Sequence, residues 1–225
     1  MSSPLILSLF PGIDLLGMAF EQAWPEACVV RGPDLLWGGD IRTFHPPAGK
    51  FDGVIGGPPC QRYSPLAQAS RAGLQPLADD LIPEFERVIH EAAPTWFVME
   101  NVIAAPLPLV RGYWRDRLIL NNRWLGEEQN RARSFTWGSL EDMTGRSPWL
   151  AVECVALDNL VVAPCVTANG TQWERGKGKY GGRSRSDRSI AALKNYTRLQ
   201  GLPDDFLIDA PFTVDGQAAL YDDAA

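Results

Sequence analysis

The stretch "GVIGGPPCQRYS", Gly53 to Ser64, leads a short apolar strand pattern into two glycines, two prolines and a single cysteine. Proline supplies no backbone donor and fixes its own φ, so the segment reads as a rigid strand end that holds Cys60 at the mouth of a sheet. On either side the chain alternates between strand and helix patterns. "LILSLF" (Leu5 to Phe10) is a buried-strand run that stops at Pro11-Gly12, and "LLGMAFEQA" (Leu15 to Ala23) carries helical spacing. "ACVV" (Ala27 to Val30) predicts a second strand and "FDGVIGG" (Phe51 to Gly57) a third. "LIPEFERVIHEAA" (Leu81 to Ala93) predicts an amphipathic helix and "TWFVMEN" (Thr95 to Asn101) a fourth strand. This β-α-β-α rhythm predicts a mostly parallel sheet covered by helices, with ligands bound beyond the carboxyl ends of its strands.

At 225 residues with 45% hydrophobic content, the chain supports one good core and a small appendage. Cys28, Cys60, Cys154 and Cys165 are widely spaced and form no C-x-x-C pair, and the N-terminus lacks the basic start and long apolar core of a signal peptide. The expectation is a reduced, cytoplasmic protein with no bound metal. No apolar run approaches the length of a membrane span, and no repeat period is visible. The net charge of -6 argues against a protein that coats nucleic acid nonspecifically. Yet Glu174 to Arg188 concentrates six basic residues (Arg175, Lys177, Lys179, Arg183, Arg185, Arg188) against two acids in one Gly-rich loop. Taken alone, such a run reads equally as a solvated, flexible loop.

Phe10-Pro11-Gly12, Asp40, Cys60 and Glu100 all fall at or just after predicted strand ends, which brings them toward one crevice. Each alone has a bland reading: a turn glycine, a capping aspartate, a cysteine used as a small core residue. In "QNRARSF", Arg131 and Arg133 stand at alternate positions, and on a strand alternation puts both on one face. A thiol, a carboxylate and paired guanidiniums suit nucleophilic attack on a polar ring held by its edges.

These blocks, in this order, resemble the cytosine-C5 DNA methyltransferase family. They are "F-x-G" at Phe10 to Gly12, "GGPPCQRYS", "ENV" at Glu100 to Val102, "Q-x-R-x-R" at Gln129 to Arg133, and "RLQGLPDDF" at Arg198 to Phe206. The resemblance covers nearly the whole chain. It implies a Rossmann-like class I methyltransferase domain of the α/β class with a mostly parallel sheet, plus a very small recognition lobe. The implied division is a catalytic domain over 1–136, a reduced recognition lobe with the basic loop over 137–190, and a segment returning to the catalytic domain over 191–225.

The resemblance also implies the chemistry. Cys60 adds to C6 of a cytosine flipped out of double-stranded DNA, Glu100 holds N3 and the exocyclic amine, and S-adenosylmethionine methylates C5, leaving S-adenosylhomocysteine. Arg133, Arg131 and Gln129 match the block that holds the pyrimidine and its catalytic neighbours. Phe10, Gly12, Ile13, Asp40, Ile41 and Pro58 match cofactor-binding positions. Gln61, Ser64, Arg71, Arg183, Arg185, Arg198 and Gln200 are the implied DNA contacts, and in this context the basic loop is assigned to phosphates.

The sequence departs from the family in three places. "FPGIDLL" carries fewer glycines than the usual first loop, and "VVRGPDLLWGGD" has no clear ribose-binding glutamate; Asp34 is the nearest acid and receives little weight. The interval from Ser134 to Thr197 leaves little dedicated recognition structure. Within it Trp137, Trp149 and Trp173 read as packing residues ahead of base contacts. After "RLQGLPDDF" the chain reads "TVDGQAALYDDAA" in place of a Gly-Asn block, which predicts an open flank of the cofactor crevice, covered by self-association or by a second chain. Residues 61–79 show no periodicity and read as a lid, against an ordinary surface crossover. Two other functions stand beside the enzyme reading: a weak or partner-dependent DNA-binding relative, and an RNA cytosine-C5 methyltransferase.

Overall fold

The computed structural model describes residues 3–63, 79–125 and 129–142, together with the backbone of two short strands near the C-terminus. The expected 61–79 lid, the basic loop, Trp149, Trp173 and the "RLQGLPDDF" block lie wholly or mostly outside those residues. Among the described residues, no helix is long and apolar enough to cross a membrane.

Unit 1, Met1–Leu120 with Arg133–Ala151, holds the sheet. Its strands are β1 (Leu5–Leu9), β2 (Cys28–Arg31), β3 (Gly53–Gly56), β4 (Trp96–Asn101), β5 (Trp114–Asn121) and β6 (Ala132–Ser139), in the spatial order β2-β1-β3-β4-β6-β5. The β1–β2, β1–β3 and β3–β4 pairs are parallel, while β6 runs antiparallel to β4. The mostly parallel α/β sheet expected from the sequence is therefore present. The chain leaves β1 for β2 on one side and returns as β3 on the other, so a topological switch point opens between the carboxyl ends of β1 and β3.

Alternation along these strands buries both faces. Leu7, Leu9, Val54, Phe97 and Met99 pack on one side with α2 (Ile82–Ala92), whose Phe85, Val88 and Ile89 are fully buried. That spacing is the amphipathic stripe read from the sequence, and the helix closes on Ala93 in the left-handed region at φ 47°. Ile6, Ile55 and Val98 form the opposite core with Leu16 and Phe20 of α1 (Leu15–Ala23). There the Phe20, Trp96 and Trp137 rings stack in a row, with centroids 5.7 and 5.2 Å apart. Trp137 thus packs within the sheet, and β6 runs three residues past the expected boundary at 136.

Two glycines make room for those rings. A Cβ at Gly53 would stand 2.2 Å from the Trp96 ring, and one at Gly138 would stand 2.0 Å from Phe97. Asp14 starts α1 from the left-handed region (φ 61°), a conformation Asp reaches more readily than most residues because its short side chain bonds locally. Its buried carboxylate accepts from the Gly17 amide (3.2 Å), Ser8 Oγ (2.7 Å) and Arg31 Nε (2.9 Å).

Unit 2, Asn121–Ala132 with Val152–Ala225, is described only in part. The Asn121 side chain organises its first segment, donating to Asn130 Oδ1 (2.7 Å) and accepting from the amides of Arg123 (3.2 Å) and Arg131 (3.1 Å). β7 (Phe212–Val214) and β8 (Gln217–Ala219) form a two-stranded antiparallel ladder.

Gly138→Ala places a methyl group inside the space of a fully buried ring, so we expect a loss of about 1–3 kcal/mol in denaturant unfolding. Glu21→Ala, on the exposed side of α1, changes the same measurement by less than about 0.5 kcal/mol. Equal effects from the two would mean that the Phe97 ring has room to move.

Candidate functional site

β3 and β4 run parallel and in register, Gly56 opposite Met99, so Gly57 and Glu100 emerge side by side. A Cβ at Gly57 would lie 3.3 Å from Glu100 Oε2, and a bare backbone here is what lets the carboxylate fold against the strand end. The next residue, Asn101, is 1% exposed and spends its side chain on two loops. Its Nδ2 donates to the Pro58 carbonyl (3.1 Å), 43 residues away in sequence, and its Oδ1 accepts from the Val102 amide (2.8 Å). Cys60 follows on this pinned segment as a free, half-buried thiol whose carbonyl accepts from the Tyr63 amide (2.9 Å). The two prolines set the direction of the loop, and Asn101 anchors it.

Glu100 is held from the other side as well. Arg133 on β6 places Nε 3.0 Å from Glu100 Oε1, a diagonal pair across the antiparallel β4–β6 ladder, with both side chains partly buried. The structure thus brings the Glu100 carboxylate and the Arg133 guanidinium together. Arg131 differs from expectation: it precedes β6, and its amide bonds the Gln129 carbonyl (3.0 Å) and Asn121 Oδ1 in place of a ladder partner. Alternation therefore does not set its direction. Gln129 is fully buried, and its side-chain amide has no hydrogen-bond partner among the described residues. Both belong to unit 2.

At the switch point lies a crevice of about 200 Å³ lined by Phe10, Asp34, Asp40, Ile41, Gly57 and Pro59, with Pro33, Leu35, Gly39, Arg42 and Leu81 completing the wall. Phe10 ends β1 in the left-handed region at φ 52°, a conformation costly for an aromatic residue and a common sign of a constrained site. Asp40 caps the 3₁₀ turn Ile41–Thr43 by accepting from the Arg42 amide (3.0 Å). Gly12, at φ 54°, is not among the lining residues: its amide donates to Asp34 Oδ2 (2.9 Å) and its carbonyl accepts from Trp37 Nε1 (3.0 Å). Pro58 is buried, and its neighbours line the crevice in its place. Ile13 is exposed, as is Gln61 at the turn after Cys60. Ser64, Arg71, Arg183, Arg185, Arg198 and Gln200 lie outside the described residues.

Sequence reading undervalued Asp34. Its second oxygen accepts from the Leu36 amide (2.8 Å), so it both caps the turn Leu35–Trp37 and ties it to the first loop. The signal was present as Pro-Asp before an apolar run, an N-cap pattern. Tyr63 was missed too. Its hydroxyl donates to Asp80, and burial followed by that carboxylate pushes its pKa up to about 12.

Asn101→Ala leaves the Pro58 carbonyl buried without a donor, so we expect a stability loss of about 1–3 kcal/mol. Alkylation of Cys60, followed by peptide mass mapping, should also be several-fold faster, on the order of 1 kcal/mol of freed loop. Labelling at the unaltered rate would mean that the prolines alone hold the thiol.

The C-5 cytosine-specific DNA methylase family matches residues 37–105, which include Asp40, the cysteine loop, α2 and Glu100. Orphan methyltransferase M.Rho11sI of Bacillus phage rho11s is 26% identical over 181 residues, covering 67% of this chain and 36% of that protein. Type II methyltransferase M.AquIA of Picosynechococcus sp. is 53% identical over 53 residues, 24% of this chain and 21% of that protein. Entamoeba histolytica methyltransferase EhMeth, a solved structure, aligns with a TM-score of 0.46 at 14% identity over 64% of this chain and 55% of its own. The chain spans about a third of the length of the phage relative. Over residues 37–105, this chain is similar to the C-5 cytosine-specific DNA methylase family.

Proposed function

We propose that the protein transfers a methyl group from S-adenosylmethionine to C5 of a cytosine turned out of double-stranded DNA, through a covalent bond from Cys60 to C6. The observation that carries this reading is the junction of the β3 and β4 ends. One buried amide there ties the thiol loop to the strand that presents the Glu100–Arg133 pair.

C5 of cytosine is a weak nucleophile until the C5–C6 double bond is disturbed. In the proposed step the Cys60 thiolate supplies the electron pair of a new C6–S bond, and the π pair shifts through the ring toward N3. Glu100, in its carboxylic acid form, gives N3 the proton it takes up and accepts from the exocyclic amine beside it. Arg133 holds Glu100 Oε1 and keeps the carboxylate aimed along the strand end. C5, now enamine-like, takes the methyl group with S-adenosylhomocysteine as the leaving group; loss of the C5 proton to a water base, expulsion of the Cys60 thiolate and return of the N3 proton to Glu100 then restore the ring and the enzyme.

The crevice fits the cofactor this reaction needs. Phe10, Ile41, Pro33 and Leu81 offer apolar walls to a purine, while Asp34 and Asp40 add two carboxylates suited to hydroxyl groups and to a cationic ligand. S-adenosylmethionine, when bound, supplies an electrophilic methyl group on a sulfonium. Gly57 and Pro59 form the wall shared with the cysteine loop, so the methyl donor and the thiol approach one ring from neighbouring strand ends.

DNA containing 5-fluorocytosine cannot lose its C5 substituent, so with S-adenosylmethionine it should trap a denaturation-resistant adduct that Cys60→Ser abolishes. An adduct that persists, or that maps to Cys165, removes Cys60 from the mechanism. Glu100→Gln should fold normally and lower turnover by about two to four orders of magnitude, since it keeps the shape but loses the ionisable group. Bisulfite mapping of the products identifies the modified cytosines. Methylation of RNA in place of DNA in the same assay would transfer the mechanism to the other nucleic acid.

A further inference from the structure

Arg87 lies on the polar face of α2, outside the crevice lining, yet its guanidinium reaches well beyond its own helix. Nε donates to Glu84 Oε2 and Nη1 to Glu91 Oε1, both at 2.8 Å. Nη2 crosses to the Ile41 carbonyl (2.7 Å), and Nη1 also donates to the Phe44 carbonyl (3.1 Å). Those two carbonyls bracket the turn Ile41–Thr43, which follows Asp40 and carries Ile41 into the crevice wall. His45 Nδ1, 3.0 Å from Glu91 Oε2, adds another tie between helix and turn.

The post itself is rigid. Phe85, Val88 and Ile89 bury the opposite face of α2 completely, so the helix transmits the position of the core to the guanidinium. Burial works against the charged form of Arg87, but its hydrogen bonds to Glu91 and Glu84 outweigh that, and its pKa is raised. The Arg87 hydrogen bond likewise lowers Glu91, against a smaller effect of burial. The planar fork suits this position because it serves two carbonyls and two carboxylates at once; a Lys ammonium has no comparable geometry.

We infer that Arg87 is a positioning residue for the crevice, holding the Asp40–Ile41 turn against α2 in the shape that receives the adenosyl group. This rests on the crevice being the cofactor site, as proposed above. Without the guanidinium, the Ile41 carbonyl keeps only the Phe44 amide and the Phe44 carbonyl loses the Arg87 donor, so like partial charges on these carbonyls and on Glu84 and Glu91 push the turn away from the helix. The wall loses its shape while the core beneath it stays.

The test compares the full chain with Arg87→Met and Arg87→Lys, using calorimetric titration with S-adenosylhomocysteine and amide hydrogen exchange. The Met variant should bind about tenfold more weakly, as expected for losing hydrogen bonds to a charged donor, with Lys in between. The amides of Arg42, Thr43 and Phe44, bonded to Asp40 Oδ1, the Asp40 carbonyl and the Ile41 carbonyl, should exchange faster, while β1 and β4 keep wild-type protection. Arg87→Lys keeps a cation beside Glu91 and carries the comparison should the Met variant fail to fold. Exchange that rises equally in β1 and β4 would make Arg87 a general stabiliser and overturn the inference. So would unchanged exchange at residues 42–44, or faster exchange there with wild-type affinity. Wild-type protein that does not bind S-adenosylhomocysteine defeats the cofactor reading and this inference together; tight wild-type binding with an unaffected Met variant defeats the inference alone.

Discussion

The buried side chain of Asn101 joins the two halves of the site. Its bond to the Pro58 carbonyl crosses from β4 to the loop after β3, and both partners are out of water, where an unmade hydrogen bond is expensive. Pro58 has no amide to offer and Pro59 follows it, so the loop has few ways of its own to satisfy its backbone. The constraint thus falls on one amide. It sets where the cysteine loop leaves the sheet, and the parallel register of β3 with β4 sets Glu100 beside it.

Charge is distributed with the same economy. Around the crevice, Asp34 and Asp40 spend oxygens on backbone amides of their own turns, so each carboxylate shapes a loop before it meets any ligand. In the crevice wall Arg42 pairs with Asp79, and behind it Arg87 pairs with Glu84 and Glu91 on α2. Pairs that stay exposed or only partly buried add little to stability one by one. Their value here is geometric, since each one points at a segment that lines or supports the crevice.

The four parallel strands and α2 were legible because such strands are uninterrupted apolar runs and α2 has a clean apolar stripe, whereas β5, with its charged Arg115, Asp116 and Arg117, gave no such run. "ENV" and the Pro-Cys-Gln block were legible as motifs, and strand ends put them in one place. What could not be read was register and reach. Nothing in "QNRARSF" shows that Asn121 would catch the Arg131 amide just before the strand, while Arg133 on β6 pairs with the Glu100 carboxylate. Asp34 binds an amide 22 residues away and Arg87 a carbonyl 46 residues away, distances at which local pattern carries no information. Most of the expected recognition lobe, and the basic loop, lie outside the described residues, and their assignment stays with the sequence.

The parallel order of the sheet also governs how this site comes into being. Ile6 pairs with Gly53 and Gly53 with Trp96, so every central ladder closes a long loop before it yields any contact energy. Such topologies fold slowly compared with helical bundles of similar size. The crevice needs β1 and β3 in place, and the thiol loop needs β4 as well, because its anchor comes from Asn101. A nascent chain that has emerged only through Cys60 therefore holds a cysteine with nothing to orient it. The cysteine loop gains its anchor only after β4 has docked, so protection of the Cys60 thiol during synthesis should follow the appearance of the fourth strand.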